Sequence, residues 1–160
     1  MSVRIGVLII SDGVSAGERT DRSGAAIVAW AGMSGHLVTA QSVVPDESAA
    51  IASKLIEWAD GAAADLILTT GGTGLGPRDV TPEATRAVIK REAPGISEAI
   101  RAAALPTVPT AALSRAVAGT RADALIVNLP GSLGGVRDGL AVLAPLIDHI
   151  AALLRGNTEH

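Results

Sequence analysis

Apolar and polar positions follow two rhythms along this chain. Short aliphatic runs recur at residues 3–11, 65–70 and 124–129, and the stretches between them return apolar residues every three or four positions. A short aliphatic run bounded by turn formers predicts a buried strand, whereas three-to-four spacing predicts a helix with one apolar face. Residues 3–11 therefore predict a first strand, ended by Ser11-Asp12-Gly13, and 15–19 a polar loop. Asp21 is placed to cap a helix through Ala31, with Ile27, Val28 and Trp30 as its apolar contacts. Residues 36–44 alternate only in part, apolar at Leu37 and Val43 and polar at Thr39 and Gln41, which predicts an exposed edge strand.

Pro45-Asp46 opens a second predicted helix, carried to about Ala59 by Ile51, Leu55 and Trp58. The central strand 65–70 leads through a glycine-rich turn into a helix from Thr81 to about Glu92. Thr81 is its expected cap, Pro82 suits the first helical position, and Glu83 complements the helix dipole. Pro94-Gly95 breaks that helix, a short one resumes over 96–105, and 105–114, with Pro106 and Pro109, is an irregular crossover. After the strand 124–129 a last helix runs over 134–155, bent at Pro145. With no linker, repeat or low-complexity tract, the 160 residues predict one domain, 1–160. Strands alternating with helices predict an α/β fold, a three-layer α/β/α sandwich about a mostly parallel central sheet with an exposed edge strand. In such a sheet the loops after the strands, at 11–12, 70–79 and 128–132, converge on one ligand crevice.

Composition narrows the picture. Hydrophobic residues make up 48% of the chain but aromatics 1%, so the core is built from Leu, Ile, Val and Ala. Trp30 and Trp58, on apolar helix faces, are expected in the core or at a subunit interface. A net charge of −3 without a basic run argues against nucleic acid as partner. The absence of cysteine excludes disulfides, thiolate metal sites and a cysteine nucleophile. His36, His149 and His160 lack metal-ligand spacing. No stretch is long enough to span a bilayer, and the first residues run straight into a β-branched strand rather than a signal segment. The expectation is a soluble cytoplasmic protein with no membrane partner.

The candidate chemistry is concentrated after the central strand. Gly71, Gly72, Gly74 and Gly76 precede Arg78, Asp79 and the Thr81 helix start. Glycines let backbone N–H groups approach an anion closely, and strand, glycine turn, acid and helix together build a phosphate site. Pro77 stands where a P-loop needs lysine and where a dinucleotide fingerprint needs its last glycine, so neither motif is present. For Asp46 an N-cap and a functional carboxylate are both open; for Asp79 a solvated loop carboxylate, a partner for Arg78 and a functional acid are open. Arg78 itself suits phosphate or a surface ion pair.

The run from Gly71-Gly72-Thr73-Gly74 through Pro77-Arg78-Asp79-Val80-Thr81-Pro82-Glu83-Ala84-Thr85 resembles the signature of the molybdenum-cofactor biosynthesis family without a gap. Three further segments agree in order: Ile10-Ser11-Asp12 with Asp21-Arg22-Ser23-Gly24, Val44-Pro45-Asp46-Glu47, and Leu113-Ser114-Arg115 with Asn128-Leu129-Pro130-Gly131-Ser132. The likeness extends over nearly the whole chain and is strongest to the Mog/MoaB type. That type includes molybdopterin adenylyltransferases and the G domains of the plant two-domain enzyme and of gephyrin.

The resemblance implies transfer of AMP from ATP to the terminal phosphate of molybdopterin, with release of pyrophosphate. It implies that Asp46 and Asp79 act in catalysis and hold Mg²⁺ with ATP, a cation that takes one or two carboxylates plus phosphates and waters. It places Thr73 and Ser114 at ligand-contacting positions, against a turn hydroxyl and a local helix cap as the plain alternatives. Ser11 and Asp21 fall on the nucleotide side; locally they are a strand-end turn and a helix cap. Gly71, Gly72 and Gly74 are the expected phosphate cradle. Asn128, Pro130, Gly131 and Ser132 close the site from the next strand, although an ordinary strand-to-helix connection capped by Ser132 would have the same sequence. No aromatic lies in these loops, so pterin recognition is expected from backbone and hydroxyl groups. Many relatives continue the Pro-Gly-Ser turn with lysine; here Leu133-Gly134-Gly135 follows, and Arg137 is the candidate replacement. The resemblance further implies a homotrimer and hand-over of product to a molybdenum-insertion protein. A non-catalytic molybdopterin-binding protein or a scaffold of the same family is the alternative.

Overall fold

The aliphatic runs assemble into one six-stranded sheet. The structure, a computed structural model, describes residues 2–158, and His160 lies outside them. The strands are β1 (Arg4–Ile10), β2 (Leu37–Val44), β3 (Leu66–Thr70), β4 (Arg91–Glu92), β5 (Ala118–Arg121) and β6 (Ala124–Leu129), in the spatial order β2-β1-β3-β6-β5-β4. The four longest are parallel, with Ile5 opposite Leu66 and Leu66 opposite Leu125; β5 runs antiparallel to β6, and β4 antiparallel to β5. The mostly parallel sheet is as expected. So is the edge strand: β2 alternates exposed and half-buried positions until Val44.

Side-chain alternation along the strands divides the core between two faces. Ile5, Val7 and Ile9 of β1 point one way with Leu66, Leu68, Val127 and Leu129, and are covered by α2 (Ser23–Met33), α5 (Pro94–Ala104), α6 (Leu133–Leu143) and α7 (Ile147–Leu154). Leu8, Ile10, Ile67 and Ile126 point the other way, beneath α3 (Ser48–Asp60) and α4 (Thr81–Val88). The result is the three-layer sandwich. Trp58 is 6% exposed and belongs to the second core, so its ring packs within the subunit. Among the described residues no helix is long and apolar enough to cross a membrane.

Four local expectations change. A short helix, α1 (Asp12–Ser15), forms between the first strand and the predicted polar loop, over residues read as the strand's end, and is capped by Ser11, whose Oγ accepts the Val14 N–H at 3.2 Å. The helix after the glycine turn ends at Val88, and Arg91–Glu92 pairs as β4 with β5. Pro94 starts α5 rather than separating it from what precedes, since the first helical position needs no N–H. The final helix is two helices, because Pro145 sits in a 3₁₀ turn over Ala144–Leu146.

Candidate active site

Parallel strands deliver their following loops to one edge, and a cleft of about 540 Å³ opens there between the ends of β1, β3 and β6. Its floor is the glycine turn. Gly71 has φ +92° and Gly72 φ +67°, and a Cβ on Gly71 would stand 2.3 Å from the Ile10 carbonyl oxygen. Only glycine threads this gap between β1 and β6. The Gly71 N–H donates to Leu129 O at 3.2 Å, and Thr81 fixes the turn from α4: its hydroxyl donates to Gly71 O at 2.9 Å and its N–H to Gly72 O at 3.1 Å. Thr81 is therefore the first residue of α4 and not its cap, which is Val80.

Asp46 follows β2 but caps no helix; α3 starts two residues later, with Glu47 in the cap position. Its carboxylate instead meets Asp12. The Asp12 N–H donates to Asp46 Oδ2 at 2.9 Å, and the Asp46 N–H donates to Asp12 Oδ1 at 3.0 Å. Arg78, from the glycine loop, closes this pair by donating from Nε and Nη2 to the two Asp12 oxygens, each at 3.0 Å. Asp79 is held from its own loop, its Oδ2 accepting the Gly76 N–H at 2.9 Å.

These contacts set the charges. Burial pushes the Asp46 carboxyl above its ordinary range, and the nearby charges of Asp12 and Asp79 push the same way against the Asp12 N–H and Arg78. Asp12 is held low, first by its hydrogen bonds from Arg78. Arg115 is the strut of the loop. Its N–H donates to Thr73 O at 2.9 Å, Nε to Gly74 O at 2.8 Å and Nη2 to Asp79 O at 2.7 Å, while Nη1 pairs with Glu83.

The structure brings Ser11, Asp21, Asp46, Gly71, Gly72, Asp79, Gly131 and Ser132 together on the cleft wall. Asp21 also caps α2, its two oxygens accepting the Gly24 and Ala25 N–H groups at 2.9 and 3.1 Å; Ser132 caps α6 through the Gly135 N–H at 3.1 Å. Thr73, Gly74, Ser114, Asn128 and Pro130 are not on that wall. Thr73 is buried, and Ser114 Oγ accepts the Ala116 N–H at 3.3 Å. Asn128, fully buried, cross-links the sheet to α4: Nδ2 donates to Thr69 Oγ1 and Thr85 Oγ1, both at 3.0 Å, and Oδ1 accepts the Val117 N–H at 3.2 Å.

Sequence reasoning assigned no role to Asp12 or Arg115, and missed Arg19, Thr20, Arg22 and Ser23 on the wall. Asp12 carries a usable signal, a second acid at a strand end. Arg115 carries only its place in the Leu113-Ser114-Arg115 segment, since nothing local shows that it reaches back to the glycine turn from the crossover.

A glycine turn, paired carboxylates and basic side chains at the carboxyl edge of a parallel sheet make a site suited to phosphorylated ligands in an α/β protein. The family profile described as a probable molybdopterin binding domain matches residues 6–149, and the chain belongs to that family. It is 42% identical over 158 residues to the molybdopterin adenylyltransferase of Helicobacter pylori strain J99, covering 98% of this chain and 90% of that protein. It is 41% identical over 165 residues to gephyrin of Dictyostelium discoideum, where 97% of this chain spans only 23% of that longer protein. Among solved structures, the molybdopterin biosynthesis enzyme MoaB of Thermus thermophilus superposes with a TM-score of 0.90 at 47% identity, over 96% of this chain and 97% of that one.

Proposed function

We propose that this chain is a molybdopterin adenylyltransferase of molybdenum-cofactor biosynthesis, transferring AMP from ATP to the terminal phosphate of molybdopterin. The observation that carries this is the convergence of Asp46 and Asp79, from two different strand ends, on one cleft floored by the glycine turn. A phosphate oxygen of molybdopterin attacks the α-phosphorus of ATP. The new P–O bond forms as the bond to the bridging oxygen breaks, and pyrophosphate leaves with that electron pair. The attacking phosphate is already an anion, so no protein nucleophile is needed. Catalysis then consists of aligning two polyanions and offsetting their repulsion.

The residues fit magnesium. The donors are hard carboxylate oxygens, and the free Asp46 carboxylate is disfavoured by burial and by Asp79, a condition that a cation between them relieves. Asp46 and Asp79 would hold the ion, which when bound supplies charge neutralisation to the triphosphate. Because the Gly71 N–H is committed to Leu129, the phosphate cradle falls to the backbone N–H groups of Gly72, Gly131 and Ser132, which have no partner among the described residues. Ser11 and Asp21 line the nucleotide side. Thr73, Gly74, Ser114, Asn128 and Pro130 support the cleft from behind. The protein acts as one domain, a cytoplasmic homotrimer that passes its product to a molybdenum-insertion protein.

The test is incubation of the purified protein with molybdopterin, ATP and Mg²⁺, with mass detection of adenylylated molybdopterin and assay of pyrophosphate. Product is expected from the natural protein, and a loss of roughly a hundredfold or more in Asp46→Asn and Asp79→Asn. Tight molybdopterin binding without product would make the chain a binding module instead.

A further inference from the structure

The cleft needs positive charge, and the places where the sequence suggested it do not provide it. Arg137 is exposed on α6 and is not on the cleft wall; Arg78 is bound to Asp12, and Arg115 to the loop carbonyls and Glu83. The Pro130–Leu133 turn carries no cation at all.

Arg19 differs from each of these. It lines the same cleft as Asp46 and Asp79, as Arg22 also does, and no hydrogen bond or ion pair from the described residues engages its guanidinium. Of the two, Arg19 is the one whose stem packs against a glycine. Although exposed, it is held in place by α1. Its N–H donates to Gly13 O at 3.1 Å, and its methylene stem lies against the Gly13 Cα, so close that a Cβ there would stand 2.5 Å from Arg19 Cδ and 2.9 Å from Cγ. Gly13 has no left-handed φ, so space for this stem is what the missing side chain provides.

We propose that Arg19, seated on Gly13, is a phosphate-binding residue of this cleft, in the place of a basic residue on the Pro-Gly-Ser turn. This rests on the adenylyltransferase reading for the identity of the phosphates, which belong either to the polyphosphate of ATP or to the terminal phosphate of molybdopterin. A guanidinium suits either, since its fork donates two charge-assisted hydrogen bonds to one phosphate.

Affinities for Mg-ATP, pyrophosphate and molybdopterin should be measured by calorimetry on the natural protein and on Arg19→Ala, Gly13→Ala and Arg137→Ala. Arg19→Ala is expected to weaken phosphate-ligand binding about tenfold, with the difference shrinking in ~0.5 M salt. Gly13→Ala keeps the charge but displaces the flexible stem, and is expected to lose a smaller part of that affinity. Arg137→Ala, which removes the same charge off the wall, is expected to bind like the natural protein. Loss confined to ATP and pyrophosphate assigns Arg19 to the nucleotide; loss confined to molybdopterin assigns it to the pterin phosphate. Unchanged binding in Arg19→Ala, or an equal loss in Arg137→Ala, would overturn the proposal, and natural binding by Gly13→Ala would overturn the seating on Gly13. A natural protein that binds ATP but forms no adenylylated product would sink the adenylyltransferase reading alone, leaving Arg19 to be judged on these affinities. One that binds none of the three ligands would overturn both.

Discussion

Replacing Asn128 by alanine separates a structural cross-link from a ligand contact at a position that belongs by motif to the site. Asn128 makes three buried hydrogen bonds, to Thr69, Thr85 and the Val117 N–H, and Thr69, Thr85 and Val117 are themselves 0%, 0% and 2% exposed. Truncation strands the Val117 N–H away from water, which costs about 1–3 kcal/mol, and removes both donations to the threonine hydroxyls at about 1 kcal/mol each. A loss of roughly 3–5 kcal/mol follows. With a urea m-value of about 2 kcal/mol/M, the unfolding midpoint should fall by roughly 1.5–2.5 M at an unchanged slope. The assay is urea unfolding followed by circular dichroism at matched protein concentration, since any self-association would link stability to concentration. Thr85→Val should cost less, about 1–2 kcal/mol, and the double variant should cost less than the sum because the two residues share a bond. A midpoint shift under about 0.5 M, combined with lost ligand binding, would refute the cross-link argument and return Asn128 to the cleft.

Two further expectations concern the cleft itself. Asp46 has its carboxyl raised by burial and by Asp12 and Asp79, so it stabilises the fold below the unfolded carboxyl pKa of about 3.9, and that contribution is lost as pH rises through its folded value. Asp46→Asn should therefore stabilise the ligand-free protein at neutral pH, by about 1 kcal/mol at most after solvent screening, and leave it unchanged below about pH 4. Thermal melts across that range decide it, and a destabilised variant at pH 7 would contradict the sign. Gly72→Ala places a side chain at φ +67°, with its Cβ 2.4 Å from Thr81 Oγ1 and 3.0 Å from Asp46 Oδ1. It should cost about 1–2 kcal/mol of backbone strain and abolish AMP transfer, measured by melting and by pyrophosphate release.

Legibility in the sequence followed physical signal strength. β1, β3 and β6 are aliphatic runs between turn formers, and the glycine turn is punctuated by Pro77 and Pro82, so both were visible. β5 is Ala-Gly-Thr-Arg and β4 only Arg-Glu with both residues exposed, so neither offers a periodic pattern to detect. The carboxyl-edge location of Ser11, Asp79 and Ser132 followed from parallel topology, whereas Asp46 was placed in the site by the family resemblance. The inward turn of Asn128 did not, since a fully buried strand shows no alternation that would reveal which face a residue takes. Thr81 misled because its hydroxyl serves Gly71 across the loop, a long-range use that local capping rules cannot anticipate.

The two site carboxylates share a design whose consequence is entropic. Asp46 has Oδ2 tethered by the Asp12 N–H and Asp79 has Oδ2 tethered by the Gly76 N–H, while the other oxygen of each has no hydrogen bond from the described residues. Each side chain thus loses its rotamer freedom when the chain folds, before any ligand arrives. Immobilising such a side chain at the moment of binding would otherwise weaken association by about 0.5–1.5 kcal/mol. A glutamate in either place would retain the charge but bring one more free torsion and a displaced second oxygen. What these positions require is a carboxylate already at rest, with one oxygen anchored and the other open to the ligand.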